Sequence, residues 1–82
     1  MAAAYAAANI RVNSIVPGTM DTPMNCYILA DAGVRERYRS AIPLGRLGTG
    51  NDITGLAVFL ASEESAYCTG GVYMCDGGAT AA

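Results

Sequence analysis

The sequence has no histidine among its 82 residues, and only 15% of its residues are charged. Its three cysteines, Cys26, Cys68 and Cys75, match no metal-ligand spacing, so we expect no metal site. We interpret them as reduced, buried structural thiols, which are typical of a reducing cytoplasm. A net charge of −2 without a sustained basic run argues against nucleic acid or an anionic membrane as a partner.

Targeting and membrane-spanning patterns are missing as well. The first nine residues contain no basic region, and their apolar stretch is too short for a signal peptide. No stretch of the chain approaches the roughly 18 consecutive apolar residues that a spanning helix needs. The sequence therefore predicts a soluble, cytoplasmic protein.

Apolar residues are abundant, at 52% of the chain. A domain of this size buries only about 60% of the surface that its unfolded chain exposes, so many of these side chains would lie near water unless something covered them. The composition is typical of a piece of a larger core.

Two apolar stretches predict β-strands. The first, "IRVNSIV" from Ile10, is rich in β-branched residues and is closed by Pro17-Gly18, which predicts a strand of about six residues. The second, "VYMC" at residues 72–75, lies between two glycine pairs. An alanine-rich stretch, residues 1–8, precedes the first strand and reads as the last turns of a helix that ends at Asn9.

Helical segments separate the two predicted strands. Pro23 can start a short helix, and residues 26–42 can carry one or two helical segments broken near Gly33. After a loop over residues 43–50, Thr49 and Asp52 form a capping-box-like start. The following helix is predicted to share one apolar face, and Ser62 begins its exit. The members of that face are Ile53, Leu56, Ala57, Leu60 and Ala61.

This order of elements predicts the α/β class. Two apolar strands joined by helical material make a parallel βαβ unit, and apolar parallel strands belong in sheets that are covered on both faces. One helix and a loop cannot cover such a sheet, so we expect more sheet beside it.

Three motifs, in order and in register, resemble the C-terminal third of the short-chain dehydrogenase/reductase family. They are "NIRVNSIVPGTMDTPM", "PLGRLGTGNDITGLAVFLAS" and "TGGVYMCDGG". The resemblance implies that residues 1–82 are a truncated, partial NAD(P)-binding Rossmann-like domain, comprising the last two strands and the last helices of a doubly wound parallel sheet. Met1 would then match an internal position of a family member.

The resemblance also implies that the catalytic machinery lies outside this sequence. The Gly-rich turn, the ribose selector, the catalytic serine and the Y-x-x-x-K pair all precede these motifs in family members. Tyr5 is not that tyrosine, because the fourth residue after it is the uncharged Asn9 and because it lies only five residues before Ile10. We therefore assign no catalytic residue.

The residues of "PGTMDT" are implied to face NAD or NADP. By resemblance, Pro17 and Gly18 shape the wall beside the nicotinamide, the backbone at Met20 bonds the carboxamide, and Thr22 bonds the phosphates. A plain strand-to-helix turn is the other interpretation of this stretch. Alone it supplies too few contacts, so the isolated chain is not expected to bind the cofactor tightly.

The following segment matches the variable substrate loop of the family. Met24, Tyr27 and Ile28, with Leu29 and Tyr38, could line a pocket for a small-molecule substrate or simply cover the core. Arg46 and Asp76 are interpreted as loop anchors or capping groups. Residues 52–61 and 71–76 are candidates for a homo-oligomer interface.

These expectations lead to two functional hypotheses and one nonfunctional alternative. In the first, the chain is part of an NAD(P)-dependent oxidoreductase that moves hydride between cofactor and a carbonyl or alcohol, and it is inactive by itself. In the second, it is a non-catalytic interaction module whose open strand edge pairs with a full-length homologue. A nonfunctional remnant is the third possibility.

Overall fold

The structure is a computed structural model that describes residues 1–81. It contains a two-stranded parallel sheet, β1 (Ser14–Pro17) and β2 (Val72–Cys75), with all the longer helices between the strands. The register pairs Ser14 with Val72 and Pro17 with Cys75. The predicted α/β class and the parallel βαβ unit are confirmed.

The first strand is shorter than predicted, because the chain before it is held by side-chain bonds and by one backbone bond, from the Gly70 N–H to the Val12 carbonyl at 2.8 Å, rather than by a continuous ladder. The Val12 N–H donates to Thr69 Oγ1 at 3.1 Å. The Asn13 amide donates to the Cys68 carbonyl at 3.0 Å and accepts from the Gly71 N–H at 3.0 Å. Residues 10–13 are therefore hydrogen-bonded to the residues that precede β2, without forming part of the sheet.

The start of the chain agrees with the sequence pattern. A short α-helix, α1 (Ala2–Tyr5), continues as a 3₁₀ turn (Ala6–Ala8), and Asn9 ends it in the left-handed conformation with φ of 59°. Asparagine tolerates this conformation better than most residues, which is why the helix can stop there.

The crossover between the strands begins with two short helices and a longer one. Pro23 opens a 3₁₀ turn (Pro23–Asn25) that runs into α2 (Cys26–Leu29), and α3 (Ala32–Ser40) follows. The predicted break near Gly33 is misplaced, since Gly33 lies inside α3. The break falls at Asp31, whose carboxylate accepts from the Val34 N–H at 3.0 Å and so caps the new helix.

The longest helix, α4 (Gly50–Ala61), begins where the sequence predicts. The Thr49 N–H donates to Asp52 Oδ2 at 2.7 Å, which confirms the capping pair. The predicted apolar face is only partly covered: Ile53, Leu56 and Leu60 are half-buried. The two alanines of that face, Ala57 and Ala61, are exposed.

The exit of α4 is fastened by polar side chains. A 3₁₀ turn (Glu63–Ser65) follows the helix, and Ser65 is fully buried, with its hydroxyl donating to the Leu60 and Ser62 carbonyls at 3.0 Å each. The guanidinium of Arg11 also donates to the Leu60 carbonyl, at 2.9 Å. These bonds satisfy carbonyls that a helix end otherwise leaves without partners. A last 3₁₀ turn (Ala79–Ala81) closes the described chain.

The apolar core is small. Within residues 1–81 only Leu29, Ile42 and Leu47 are buried apolar side chains. The radius of gyration is 15.6 Å, whereas a compact domain of this length would have about 12 Å. The structure is accordingly elongated, with extents of 50 × 26 × 21 Å. No helix in the described part of the chain is long and apolar enough to cross a membrane.

The interpretation of the cysteines as buried is wrong. Cys26 is exposed, because it lies in the first turn of the short surface helix α2, and Cys68 and Cys75 are half-buried. All three are free thiols.

Candidate functional site

The two strands end side by side, and the loops that follow them meet at that edge. The Gly18 N–H donates to the Cys75 carbonyl at 3.1 Å. A Cβ on Gly18 would lie 2.7 Å from Cα of Asp76, so the loops approach more closely than any side chain would allow. In parallel α/β sheets, ligands bind beyond this carboxyl edge.

A second contact fixes the loop after β1. The Gly48 N–H donates to the Thr19 carbonyl at 3.0 Å, and the Asp21 N–H donates to the Gly48 carbonyl at 2.7 Å. These two bonds form an isolated parallel bridge between Met20 and Gly48. The loop over residues 18–22, hereafter the Met20 loop, is therefore tied to the segment that leads into α4.

The carbonyl and the N–H of Met20 differ in their hydrogen bonding. Its carbonyl accepts from Nδ2 of Asn25 at 2.7 Å and from the Thr22 N–H at 3.1 Å. Its N–H donates to no acceptor among residues 1–81. Met20 is half-buried, and its N–H is an unpaired donor in the loop beyond the carboxyl end of β1.

Asp76 organises the loop after β2. Its carboxylate accepts from the Gly78 N–H at 3.0 Å, the Thr80 N–H at 3.1 Å and the Thr80 hydroxyl at 2.6 Å. The bonds from Thr80 hold the pKa of Asp76 below its ordinary value. The interpretation of Asp76 as a capping group is confirmed.

Arg46 and Asp52 form a two-point ion pair beneath the Met20 loop. Nη1 and Nη2 of Arg46 donate to the two carboxylate oxygens of Asp52 at 2.8 and 2.9 Å. Hydrogen bonds from Arg46, and then from the Thr49 backbone, hold the pKa of Asp52 far below its ordinary value. Arg46 is thus a loop anchor at the start of α4, as predicted.

A cavity of about 560 Å³ lies between the two loops. Thr19 and Met20 line it from the first loop, and Asp76 and Gly77 line it from the second. Apolar side chains and the Arg46–Asp52 pair also line the cavity.

The predicted site residues fall into two groups. Pro17, Gly18, Met20 and Thr22 lie at the carboxyl edge, with Thr22 just before the 3₁₀ turn, and of these four only Met20 lines the cavity. Met24, Tyr27 and Ile28 do not line the cavity, and their exposed fractions are 92%, 92% and 51%. They therefore do not cover the core, a role that Leu29 fills; their place in a substrate pocket stays a prediction.

Three contributors to the site were not predicted from the sequence. Asn25 holds the Met20 carbonyl, Gly48 bridges the loop from 28 residues further along, and Arg35 pairs with Asp21. Asn25 closely follows Thr22 and Pro23, so a turn-capping signal was present locally. Nothing local marks Gly48, since its partner is brought to it only by the fold.

Tyr5 lies at the end of α1 and is 47% exposed. Asn9, which follows it by four residues, ends that helical stretch rather than completing an ionisable pair. Tyr5 is an exposed helix residue, in agreement with the sequence interpretation.

The parallel strands and the loops at their carboxyl edge define a part of an α/β domain, and comparison with known proteins identifies its family. A family described as enoyl-(acyl carrier protein) reductase matches residues 1–80. An L-rhamnose 1-dehydrogenase (NAD(P)(+)) of Azotobacter vinelandii is 48% identical over 69 residues, which is 84% of this chain and 27% of that protein.

Solved structures agree. A 4-hydroxyisoleucine dehydrogenase complexed with NADH superposes with a TM-score of 0.94 at 32% identity, over 100% of this chain and 34% of that one. A short-chain type dehydrogenase/reductase from Mycobacterium ulcerans superposes with a TM-score of 0.91 at 35% identity, over 98% of this chain and 29% of that one. The chain belongs to the short-chain dehydrogenase/reductase family, and it spans about a third or less of the length of these relatives.

Proposed function

We propose that these residues form the C-terminal wall of the cofactor site in an NAD(P)-dependent oxidoreductase. The observation that carries the proposal is the Met20 N–H, which has no acceptor among residues 1–81 and lies in the loop after the carboxyl end of β1. Names of relatives support the cofactor class, since one carries NAD(P)(+) in its name and another was solved with NADH.

The donor and acceptor pattern fits the nicotinamide carboxamide. The Met20 carbonyl already has two donors, which fill its two acceptor positions, so the N–H is the group that remains for the carboxamide oxygen. Pro17 and Gly18 would form the wall beside the ring, and a glycine at position 18 is required by the approach of Asp76. The hydroxyl of Thr22 would contact the phosphates.

The nicotinamide group supplies or accepts the hydride, and these residues hold it and exclude water. They provide no acid or base for the substrate proton, so that group must come from elsewhere in the folded enzyme. We accordingly expect the 82 residues alone to be inactive and to bind NAD or NADP only weakly, because one N–H and one wall are few contacts for a large cofactor.

Substrate and partners are proposed at a coarser level. We expect a small-molecule alcohol or carbonyl, and Met24, Tyr27 and Ile28 remain candidates to contact it. Homo-oligomerisation through residues 52–61 and 71–76 is supported by exposed apolar side chains there, among them Val58 at 62% and Val72 at 64% exposure. A cytoplasmic setting is supported by the free thiols.

A second candidate function is a non-catalytic module that adds to a homologue's sheet. It is favoured by the open edge of β1, which has β2 as its one neighbour within residues 1–81. Co-expression with a full-length relative distinguishes the two: a stable complex without any effect on activity favours the module.

A chimaera tests the oxidoreductase proposal. The matched segment of the Azotobacter L-rhamnose 1-dehydrogenase is replaced by these 82 residues, and NAD(P)H formation from L-rhamnose is followed by absorbance. We expect a folded chimaera whose Met20→Pro variant, which lacks the N–H, has a cofactor KM raised at least tenfold. An unchanged cofactor KM in that variant contradicts the proposal.

A further inference from the structure

We propose that Asn25 and Gly48 are positioning residues that aim the Met20 N–H at the cofactor. This inference rests on the proposed function, since it assigns that N–H to the nicotinamide carboxamide. Neither residue would touch the cofactor. Each would act through the Met20 backbone.

Gly48 fixes the peptide groups on both sides of Met20. It bonds to the Thr19 carbonyl and to the Asp21 N–H, at 3.0 and 2.7 Å. Backbone groups of successive residues in an extended chain point to opposite sides, so the N–H and carbonyl of Met20 both point away from Gly48. The bridge therefore sets the direction of the unpaired donor.

The lack of a side chain at Gly48 leaves room for the Met20 side chain. A Cβ at this position would lie 2.5 Å from Sδ of Met20 and 3.7 Å from the Thr19 carbonyl oxygen. The thioether at the end of the Met20 side chain would have to swing away, whereas the Thr19 carbonyl oxygen would stay at an ordinary contact distance. A glycine with no such neighbour is available for comparison at position 50, where a Cβ would meet nothing within 4 Å.

Asn25 occupies the other backbone group of Met20. Its Nδ2 donates to the Met20 carbonyl at 2.7 Å, and its own N–H donates to the Thr22 carbonyl at 2.9 Å. The half-buried Asn25 side chain thus stabilises the turn over Met20–Thr22. The N–H and carbonyl of Met20 point to the same side, so Asn25 holds the carbonyl while the N–H beside it has no acceptor among residues 1–81.

Substitutions of nearly equal size separate this role from general stability. Asn25→Asp keeps the shape but replaces the donor by an oxygen that repels the Met20 carbonyl. Asn51→Asp makes the same change at an exposed position in the first turn of α4 and serves as its control. Gly48→Pro removes the N–H that donates to the Thr19 carbonyl, and it is matched by Gly50→Pro at the first position of α4, where proline is tolerated.

The variants are made in the chimaera with L-rhamnose 1-dehydrogenase, and two quantities are measured. One is the ratio of the cofactor KM to the L-rhamnose KM. The other is the ¹⁵N–¹H resonance of the Met20 amide in methionine-labelled protein without cofactor, assigned by its loss in Met20→Leu. Thermal unfolding midpoints verify that each variant is folded.

We expect Asn25→Asp and Gly48→Pro to move the Met20 resonance and to raise the cofactor KM about tenfold, which corresponds to one ligand hydrogen bond. The L-rhamnose KM should stay the same, and both controls should match the unsubstituted chimaera. A Met20 resonance that both variants leave in place overturns the inference, as does a moved resonance with an unchanged cofactor KM. If the unsubstituted Met20 amide does not respond to cofactor at all, the proposed function itself fails.

Discussion

The loops at the carboxyl edge and the regular elements that carry them are held in different ways. In the loops, polar groups bond to one another: Met20 to Asn25, Arg46 to Asp52, and Asp76 to Thr80. In α4 and β2, apolar side chains face outward, such as Val58 and Met74, with exposed fractions of 62% and 53%. The geometry of the site is therefore built locally, whereas the sheet and α4 present surfaces that these residues do not cover.

The largest contrast is expected between buried and outward-facing apolar side chains. Ile42→Ala removes one of three core residues and should lower the free energy of unfolding by about 2–5 kcal/mol. Val58→Ala, on the exposed face of α4, should change it by no more than about 0.5 kcal/mol. Urea unfolding of the 82-residue chain measures both, and equal losses would break the distinction between the two regions.

An exposed residue of β2 gives a sharper form of that test in the chimaera. There we expect Val72→Ala to be costly, because the remainder of the enzyme would cover β2, although Val72 is 64% exposed in this chain. If Val72→Ala is neutral in both settings, the exposed face is an ordinary surface.

The next largest effect on stability is expected at Gly18, where the loops after β1 and β2 approach each other closely. Gly18→Ala places a Cβ 2.7 Å from the Asp76 backbone, which cannot swing aside, so we expect a loss of about 1–3 kcal/mol. Thermal unfolding compares it with Gly50→Ala, where nothing lies within 4 Å. Matching midpoints would show that the loops do not depend on this contact.

Acid should lower the stability of the loops at the carboxyl edge by protonating Asp52. Arg46 lowers the pKa of this carboxylate in the folded chain from an ordinary 3.8. The folded state therefore holds its proton less tightly than the unfolded state, so the stabilisation is present above pH 3.8 and is lost as the pH falls below it. Between pH 6 and 2 the unfolding midpoint should fall further in the unsubstituted chain than in Asp52→Asn. Parallel curves would show that Asp52 does not contribute to the pH dependence of stability.

The smallest expected effect is a gain in stability from a substitution in α4. Gly55 lies within α4, and a Cβ there would meet nothing within 4 Å. Gly55→Ala should therefore raise the free energy of unfolding by about 0.5–1 kcal/mol through the lower entropy of the unfolded chain. Urea unfolding checks this, and a loss of stability would mean that α4 needs the glycine for a contact beyond these residues.

Elements with local signals were predictable from the sequence. The Thr49–Asp52 pair marks the start of α4 by spacing alone, and the glycine pairs around residues 72–75 mark β2. Asp31 carries a capping signal too, but the sequence predicts the break near Gly33, because glycine commonly interrupts helices. The cost of one glycine inside α3 is small enough for the cap to decide.

Contacts between distant parts of the chain were not predictable in this way. Residues 10–13 have strand-like composition, yet side chains of Asn13 and Thr69 take the places of ladder bonds. The bridge between Met20 and Gly48 joins residues 28 apart and exists only once β1 and α4 are folded. The position of the candidate site was thus foreseeable from the loop after β1, while the groups that orient its donor were not.

The Met20 amide gives the most direct test of the account. In the chimaera labelled with ¹⁵N-methionine, NAD⁺ is titrated and the amide resonances of Met20, Met24 and Met74 are followed. We predict that the Met20 resonance moves in proportion to cofactor bound, while that of Met24, on the exposed 3₁₀ turn, stays in place. Saturation of the cofactor site without any movement of Met20 would contradict the assignment of its N–H to the nicotinamide.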